Sequence, residues 1–197
     1  MYAHRSLPEE YWTEGWAFNV NAMNLSIQAR WFVTACALFG FCEENGAQPG
    51  SVFFDWQFTA ARDAIVALYN YREAMDGCQA NLRKIRAWSK LVDHAAIERA
   101  RERFKREFPG IRELRTTVVH AVEIFRNEQL MKQNVKSGNI VEGGNLSGAT
   151  YSAVFGGVSY TLDLTTDKVR ALNAITSAIL QALSAIPHRQ VPGWPHV

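Results

Sequence analysis

The chain has 197 residues, of which 48% are hydrophobic, 12% aromatic and 20% charged, and a formal net charge of +2. That length predicts one domain of ordinary size, with a core large enough to need no disulfide or metal staple. The composition excludes a disordered chain, and 13 Gly, 6 Pro and 3 Cys exclude collagen-like and disulfide-scaffold proteins.

The longest strongly apolar run, Trp31 to Phe41, covers 11 residues, short of the roughly 20 that a membrane-spanning helix needs. The opening MYAHRSLPEEYW has no charged start followed by an apolar core and a small-residue cleavage site. The expectation is a soluble, cytoplasmic protein with no membrane partner. Cys36, Cys42 and Cys78 form no CxxC pair, and no HExxH occurs, so neither a metal nor a cofactor is expected. The three thiols read as small buried hydrophobes in a reducing compartment.

In chain order, Ser6-Leu7-Pro8-Glu9 reads as a helix start, with Ser6 as N-cap and Glu9 three residues on. Trp12, Trp16, Val20, Met23, Ile27, Trp31 and Leu38 then recur at helical spacing. Beyond Trp31 the apolar residues go all the way round, the pattern of a helix buried in a bundle. The stripe led by Trp12, Trp16 and Trp31 reads as a binding stripe or, the commoner case at helical spacing, as a core or dimer face. Glu43 to Gly50 reads as a loop.

A second long helical pattern follows Phe54, Phe58, Ala61, Ile65, Leu68, Tyr69, Arg72 and Met75, with a break or kink expected at Asp76-Gly77. Asp93 is placed to cap a third helix, His94 to Glu107, which must stop before Pro109. After the Pro109-Gly110 turn, Ile111 opens a fourth helix with Leu114, Val118, Val122 and Phe125 on one side.

Past Asn134 the character changes. Six of the 13 glycines fall between Gly138 and Gly157. Thr150–Phe155 and Val158–Leu164, rich in β-branched and aromatic residues and joined by Gly156-Gly157, predict a hairpin with a two-residue turn. Neither GxxxxGK[ST] nor GxGxxG occurs, so these glycines serve turns rather than phosphates. Thr165 or Thr166 caps a last helix to Ile186, and residues 187–197 form an irregular, Pro-rich tail. The fold expected is predominantly all-α: one domain over 1–197, a bundle of about five helices, with a β-hairpin insertion at about 139–164 before the last helix.

Charge is uneven along this chain. Residues 83–106 hold nine Lys or Arg against Asp93, Glu98 and Glu102, a local +6, which leaves −4 for the remainder. Such a field concentrates a polyanion, and Arg99, Arg101, Arg103, Lys105 and the nearby Arg112 are the candidate nucleic-acid contacts. The alternative is a solvated helix face in which Glu98 and Glu102 pair with arginines three and four residues away.

The segment Arg112-Glu113-Leu114-Arg115-Thr116-Thr117-Val118-Val119-His120 carries the chemistry. His, titrating near neutrality, can take the proton of a 2′-hydroxyl or supply one to a leaving oxygen. Arg can neutralise charge building on the phosphorus oxygens with its planar donor fork. Arg115 and His120 are therefore the candidate catalytic pair. With 15 Arg and 5 His in the chain, about one Arg-x4–6-His match is expected by chance, and there are two. The other, Arg189 to His196, lies among Pro192 and Pro195, where no helix can form.

The stretch IRELRTTVVHAVEIF, opening a late helix after a Pro-Gly turn and behind two long apolar helices, resembles the HEPN superfamily. These are small all-helical domains of prokaryotic defence and toxin–antitoxin systems. The resemblance covers residues 54–134 as a pattern and Arg115 and His120 as the R-x4-H motif. It implies a homodimer in which two such helices meet and pool their Arg-His pairs in one metal-free ribonuclease site. Arg115 would then stabilise the phosphate and His120 act as acid or base. RNA and a cognate protein are the partners it implies. The family often has Asn, Asp or His directly after the Arg, where this chain has Thr116, and HEPN-like domains that only bind are also known.

Five residues along a helix leave Arg115 and His120 about 140° apart, so a structural His120 beside a surface Arg115 is the competing reading. Arg62-Asp63 and Arg72-Glu73 on the second helix are further charged groups able to face the motif helix or to pair locally. The alternative function is a non-catalytic, dimeric interaction module that recognises its partner through the +6 segment.

Overall fold

The computed structural model describes residues 7–126, 135–136, 139–140 and 144–186, with side chains over 7–119 and 144–186. The proposed cap Ser6, most of the segment between the fourth helix and the hairpin, and the tail 187–197 lie outside the described residues. A 3-10 turn, Glu9–Tyr11, leads into α1 (Trp12–Glu44). There follow α2 (Val52–Lys84), the single turn α3 (Arg86–Ser89), α4 (His94–Glu107) and α5 (Ile111–Arg126). Next come β1 (Val135–Lys136), β2 (Asn139–Ile140), β3 (Asn145–Ser147), β4 (Thr150–Phe155) and β5 (Val158–Asp163), and last α6 (Thr166–Leu183). The protein is thus predominantly helical with a small antiparallel sheet before its last helix, as the sequence predicts.

The chain forms two compact units. The first comprises Met1–Ala29, Asn70–Lys105 and Leu172–Val197; the second comprises Arg30–Tyr69 and Arg106–Ala171.

In the first unit, Phe18, Leu25, Tyr71, Leu82, Ile85 and Phe104 are fully buried. Tyr71 stacks on Phe104 at 5.4 Å, and Phe18 meets Trp88 edge-on. The Tyr71 hydroxyl lies 3.0 Å from the Thr176 hydroxyl, which in turn donates to the Leu172 carbonyl, so both buried polar groups are satisfied. Asp93 caps α4 as predicted, its carboxylate accepting from the Ala96 N–H at 2.9 Å.

The expected break at Asp76-Gly77 does not occur. The helix α2 runs through both residues, and Gly77 is used for close packing instead. A Cβ at Gly77 would stand 2.5 Å from Asn21 Nδ2 on α1. Asp76 is held in the helix by ion pairs to Arg101 and Arg72.

In the second unit, Ser51 caps α2 by accepting from the Phe54 N–H. Ile65 and Leu68 of α2 and Leu114 and Val118 of α5 are buried. The sheet runs β3-β4-β5, with Tyr151 opposite Leu162 and Phe155 opposite Val158. That last pair makes Gly156-Gly157 the two-residue turn predicted. Both have positive φ, at 58° and 76°, which the twist of a tight hairpin demands and glycine supplies without strain. β3 adds a strand that the sequence reading missed. Phe58 of α2 packs on Tyr151, seating the sheet against that helix.

The connection into α5 is also constrained. Gly110 has φ 69°, and a Cβ there would collide with the Tyr160 ring. Lys168 Nζ donates to the Glu107 carbonyl at 2.7 Å, satisfying an end group of α4 from the first turn of α6.

The first helix departs from expectation. It is not buried all round beyond Trp31: Trp31, Leu38 and Phe41 are exposed, as are Trp12, Trp16 and Met23 nearer its start. Although its contiguous apolar run is short, the helical stretch Glu9–Glu44 meets the length and hydropathy of a membrane span. Within its most apolar window, 44% is buried inside the protein.

Candidate functional site: the face of α2 and α5

The buried side of α5 is Ile111, Leu114, Thr117 and Val118, a helical stripe that fixes which residues flank it. Arg115 lies beside that stripe and is half-buried. Its guanidinium carbon stands 5.0 Å from the centroid of the Tyr69 ring on α2, within the range of a cation–π contact.

One turn further along α5, Arg62 of α2 reaches across and donates from Nη2 to the Val118 carbonyl at 3.1 Å. Two arginines thus sit at the packing face of α2 and α5, one on each helix. Arg115 makes the ring contact with Tyr69 and no side-chain hydrogen bond or ion pair among the described residues. Arg62 is attached through a donor.

His120 follows on α5, five residues after Arg115, so both members of the predicted pair belong to one continuous helix. The His120 side chain lies outside the described residues. Arg112 is exposed and makes no side-chain bond among the described residues. Its carbonyl accepts from the Thr116 hydroxyl at 2.9 Å, so the residue directly after Arg115 turns its side chain back onto its own helix.

The other predicted nucleic-acid contacts belong to the first unit, and their surroundings divide them. Arg101 is fully engaged: Nη2 bonds Asp76 at 2.6 Å, and Nη1 bonds Gln79 at 2.6 Å and Glu98 at 3.2 Å. Lys105 pairs with Glu102 at 2.6 Å. The Lys105 hydrogen bond and its charge hold the Glu102 carboxyl below its ordinary value. Arg99 and Arg103 have no ion-pair partner among the described residues. They line a groove of about 550 Å³ between α4 and α6, walled by Ala100, Ala174 and Ala178. The +6 segment is therefore partly a compensated helix face, and Arg99 and Arg103, one turn apart on α4, are among its cations without an ion-pair partner among the described residues.

Tyr69 and Arg62 complete the picture, and they were unequally visible in the sequence. Arg62 stood out as a charged group on a helix able to face α5. Tyr69 gave no signal beyond its place in the apolar period. Cys36, Cys42 and Cys78 are free thiols. Burial pushes Cys36 and Cys78 up to about 12 and raises Cys42, which keeps them protonated and unreactive at neutral pH. Among the described residues no group of three or more His, Cys, Asp or Glu is placed to hold a metal ion. Compared with known proteins, the chain matches no family model, no curated protein and no solved structure.

Proposed function

We propose that this is an RNA-directed, HEPN-like protein whose α5 carries a metal-independent endoribonuclease centre, of the kind found in defence or toxin–antitoxin systems. The observation that supports this most is the setting of Arg115: half-buried, beside the Tyr69 ring and without a hydrogen-bond or ion-pair partner among the described residues, on the helix that bears His120.

In the reaction, the 2′-hydroxyl oxygen attacks the adjacent phosphorus as the P–O5′ bond breaks. One His120 takes the hydroxyl proton and another protonates the departing O5′. Arg115 holds the phosphoryl oxygens as their charge grows. The products are a 2′,3′-cyclic phosphate and a 5′-hydroxyl. One acid and one base at one phosphate require two histidines, which a homodimer joining two α5 helices supplies.

The test is incubation of the purified protein with labelled RNA in EDTA, followed by end-group analysis. Cyclic phosphate ends from the wild type, absent with His120→Ala and Arg115→Ala in folded protein, would support the reading. Intact RNA with every preparation would end it.

A non-catalytic interaction module is the second reading. It is favoured by the Thr116 hydroxyl, which is spent on the Arg112 carbonyl where the family often places Asn, Asp or His. Under it, RNA or a partner binds without cleavage, and binding depends on Arg99 and Arg103.

A further inference from the structure

We propose that the tip of the α1–α2 hairpin, in the second unit, docks a cationic amphipathic segment of a partner protein: apolar side chains flanked by Lys or Arg. Trp31, Leu38 and Phe41 along the second half of α1, and Val52 and Trp56 at the start of α2, are each between 37% and 58% exposed. Phe53 joins two of them across the hairpin: its ring meets Phe41 at 6.3 Å and Trp56 at 5.8 Å, both edge-on. With aromatic side chains carrying about 150–250 Å² each, the exposed part amounts to on the order of 500 Å². That is the upper end of what a monomer leaves to water, and patches of that size are commonly functional.

Charge selects the occupant. From Trp31 to Ala61 the chain has no Lys or Arg, while Glu43 and Glu44 in the last turn of α1 and Asp55 in the first turn of α2 stand exposed at the same end of the hairpin. None of the three has an ion-pair partner among the described residues. A second copy meeting the patch face to face would set three carboxylates against three, which costs affinity. An anionic bilayer would be repelled by the same groups. The chain's own basic helix, α4, has its apolar residues Ile97, Ala100 and Phe104 already buried, so it offers nothing to insert. A cationic amphipathic helix satisfies both features, with apolar anchors on the aromatic array and cations against the acidic rim.

The experiment uses the full chain and two labelled helical peptides that share a Leu face, one flanked by Lys and one by Glu. Fluorescence anisotropy is expected to show the Lys peptide binding at least about tenfold tighter, and more weakly as salt rises. Phe41→Ser combined with Trp56→Ser should abolish this binding. E43K/E44K/D55K, which removes no aromatic contact, should transfer the preference to the Glu peptide. The three acidic positions are exposed, so the charge-reversal variant should melt close to the wild type, while the double aromatic variant, which gives up two ring contacts to Phe53, should melt lower yet stay folded at the assay temperature. Four results would overturn the proposal: binding of neither peptide, equal binding of both, binding indifferent to charge reversal, or binding indifferent to the loss of Phe41 and Trp56. Two more would reassign the patch: self-association lost in Phe41→Ser would give it to a second copy, and attachment to phosphatidylcholine vesicles lost in the same variant would give it to a bilayer.

Discussion

The guanidinium carbon of Arg115 lies 5.0 Å from the centroid of the Tyr69 ring, a cation–π contact between neighbouring helices, and the Arg115 side chain makes no hydrogen bond among the described residues. A partly desolvated cation–π pair of this kind contributes about 1 kcal/mol. If α5 carries the proposed ribonuclease centre, replacing Tyr69 by Ala should therefore release Arg115 and lower kcat/KM for RNA cleavage about fivefold, while Tyr69→Phe, which keeps the ring, should hold wild-type activity. If the two variants cleave labelled RNA equally well, Tyr69 does not position the arginine.

Much of this arrangement was legible in the sequence, for identifiable physical reasons. The turn at Pro109-Gly110, the cap at Asp93 and the hairpin at Gly156-Gly157 are local rules, set by φ restrictions and neighbouring side chains. The Asp76-Gly77 break failed because a local propensity lost to a tertiary contact. A helical glycine costs about 1 kcal/mol, but only Gly77 allows α2 to approach Asn21 so closely. The exposed face of α1 was misread for a related reason: hydrophobicity all round a helix does not reveal which side has a neighbour. Tyr69 beneath Arg115 was invisible because cross-helix partners depend on packing register, which periodicity does not fix.

The free and the compensated arginines should behave differently toward RNA. Among the described residues Arg99 and Arg103 have no carboxylate partner, whereas Lys105 is paired with Glu102 and Arg101 with Asp76 and Glu98. Each cation that contacts a phosphate contributes close to one unit to the slope of log affinity against log salt. Arg99→Ala with Arg103→Ala is expected to flatten that slope by about one to two units, and Lys105→Ala to leave it nearly unchanged. Filter binding across a salt series measures both. Equal slopes for all variants would remove α4 from the RNA contact.

Arg101 should prove a stability residue rather than a binding one. Its side chain is only 20% exposed and meets two carboxylates and an amide oxygen, so truncation leaves Gln79 without its donor and Asp76 with only the longer contact to Arg72. Arg101→Ala is expected to cost about 1–3 kcal/mol in urea unfolding, as for loss of a partly buried charged hydrogen bond. Lys105→Ala, at an exposed pair, should stay within about 0.5 kcal/mol. Similar losses for the two would contradict the burial difference.

Gly110 is the narrowest steric constraint on the site, since it sets the entry of α5. Its φ of 69° costs a side-chain-bearing residue about 1–2 kcal/mol, and the Tyr160 ring occupies the space a Cβ would take. Gly110→Ala should therefore destabilise the protein by more than about 2 kcal/mol, through two separable causes. Adding Tyr160→Ala relieves the collision and leaves the backbone strain. The double variant should thus lose less than the sum of the single losses, a coupling that a double-mutant cycle in urea reports directly.

Alkaline sensitivity follows from the buried thiols. Burial lifts Cys78 from 9.0 to about 12, and Cys36 similarly. In the unfolded chain each thiol ionises near its ordinary value, while the folded protein retains the proton. The folded pKa is the higher one, so this contribution to stability is whole below pH 9 and is lost as pH rises toward 12. In that window each such thiol removes up to about 1.4 kcal/mol per pH unit. Cys78→Ala should therefore flatten the fall in stability between pH 9 and pH 11, even if it lowers stability at pH 7 by leaving a small void. Urea midpoints across that pH range separate the two effects, and parallel curves for variant and wild type would refute the assignment. The same burial predicts that 5,5′-dithiobis(2-nitrobenzoate) labels Cys78 at pH 8 only as fast as the protein opens, so that urea accelerates the reaction steeply.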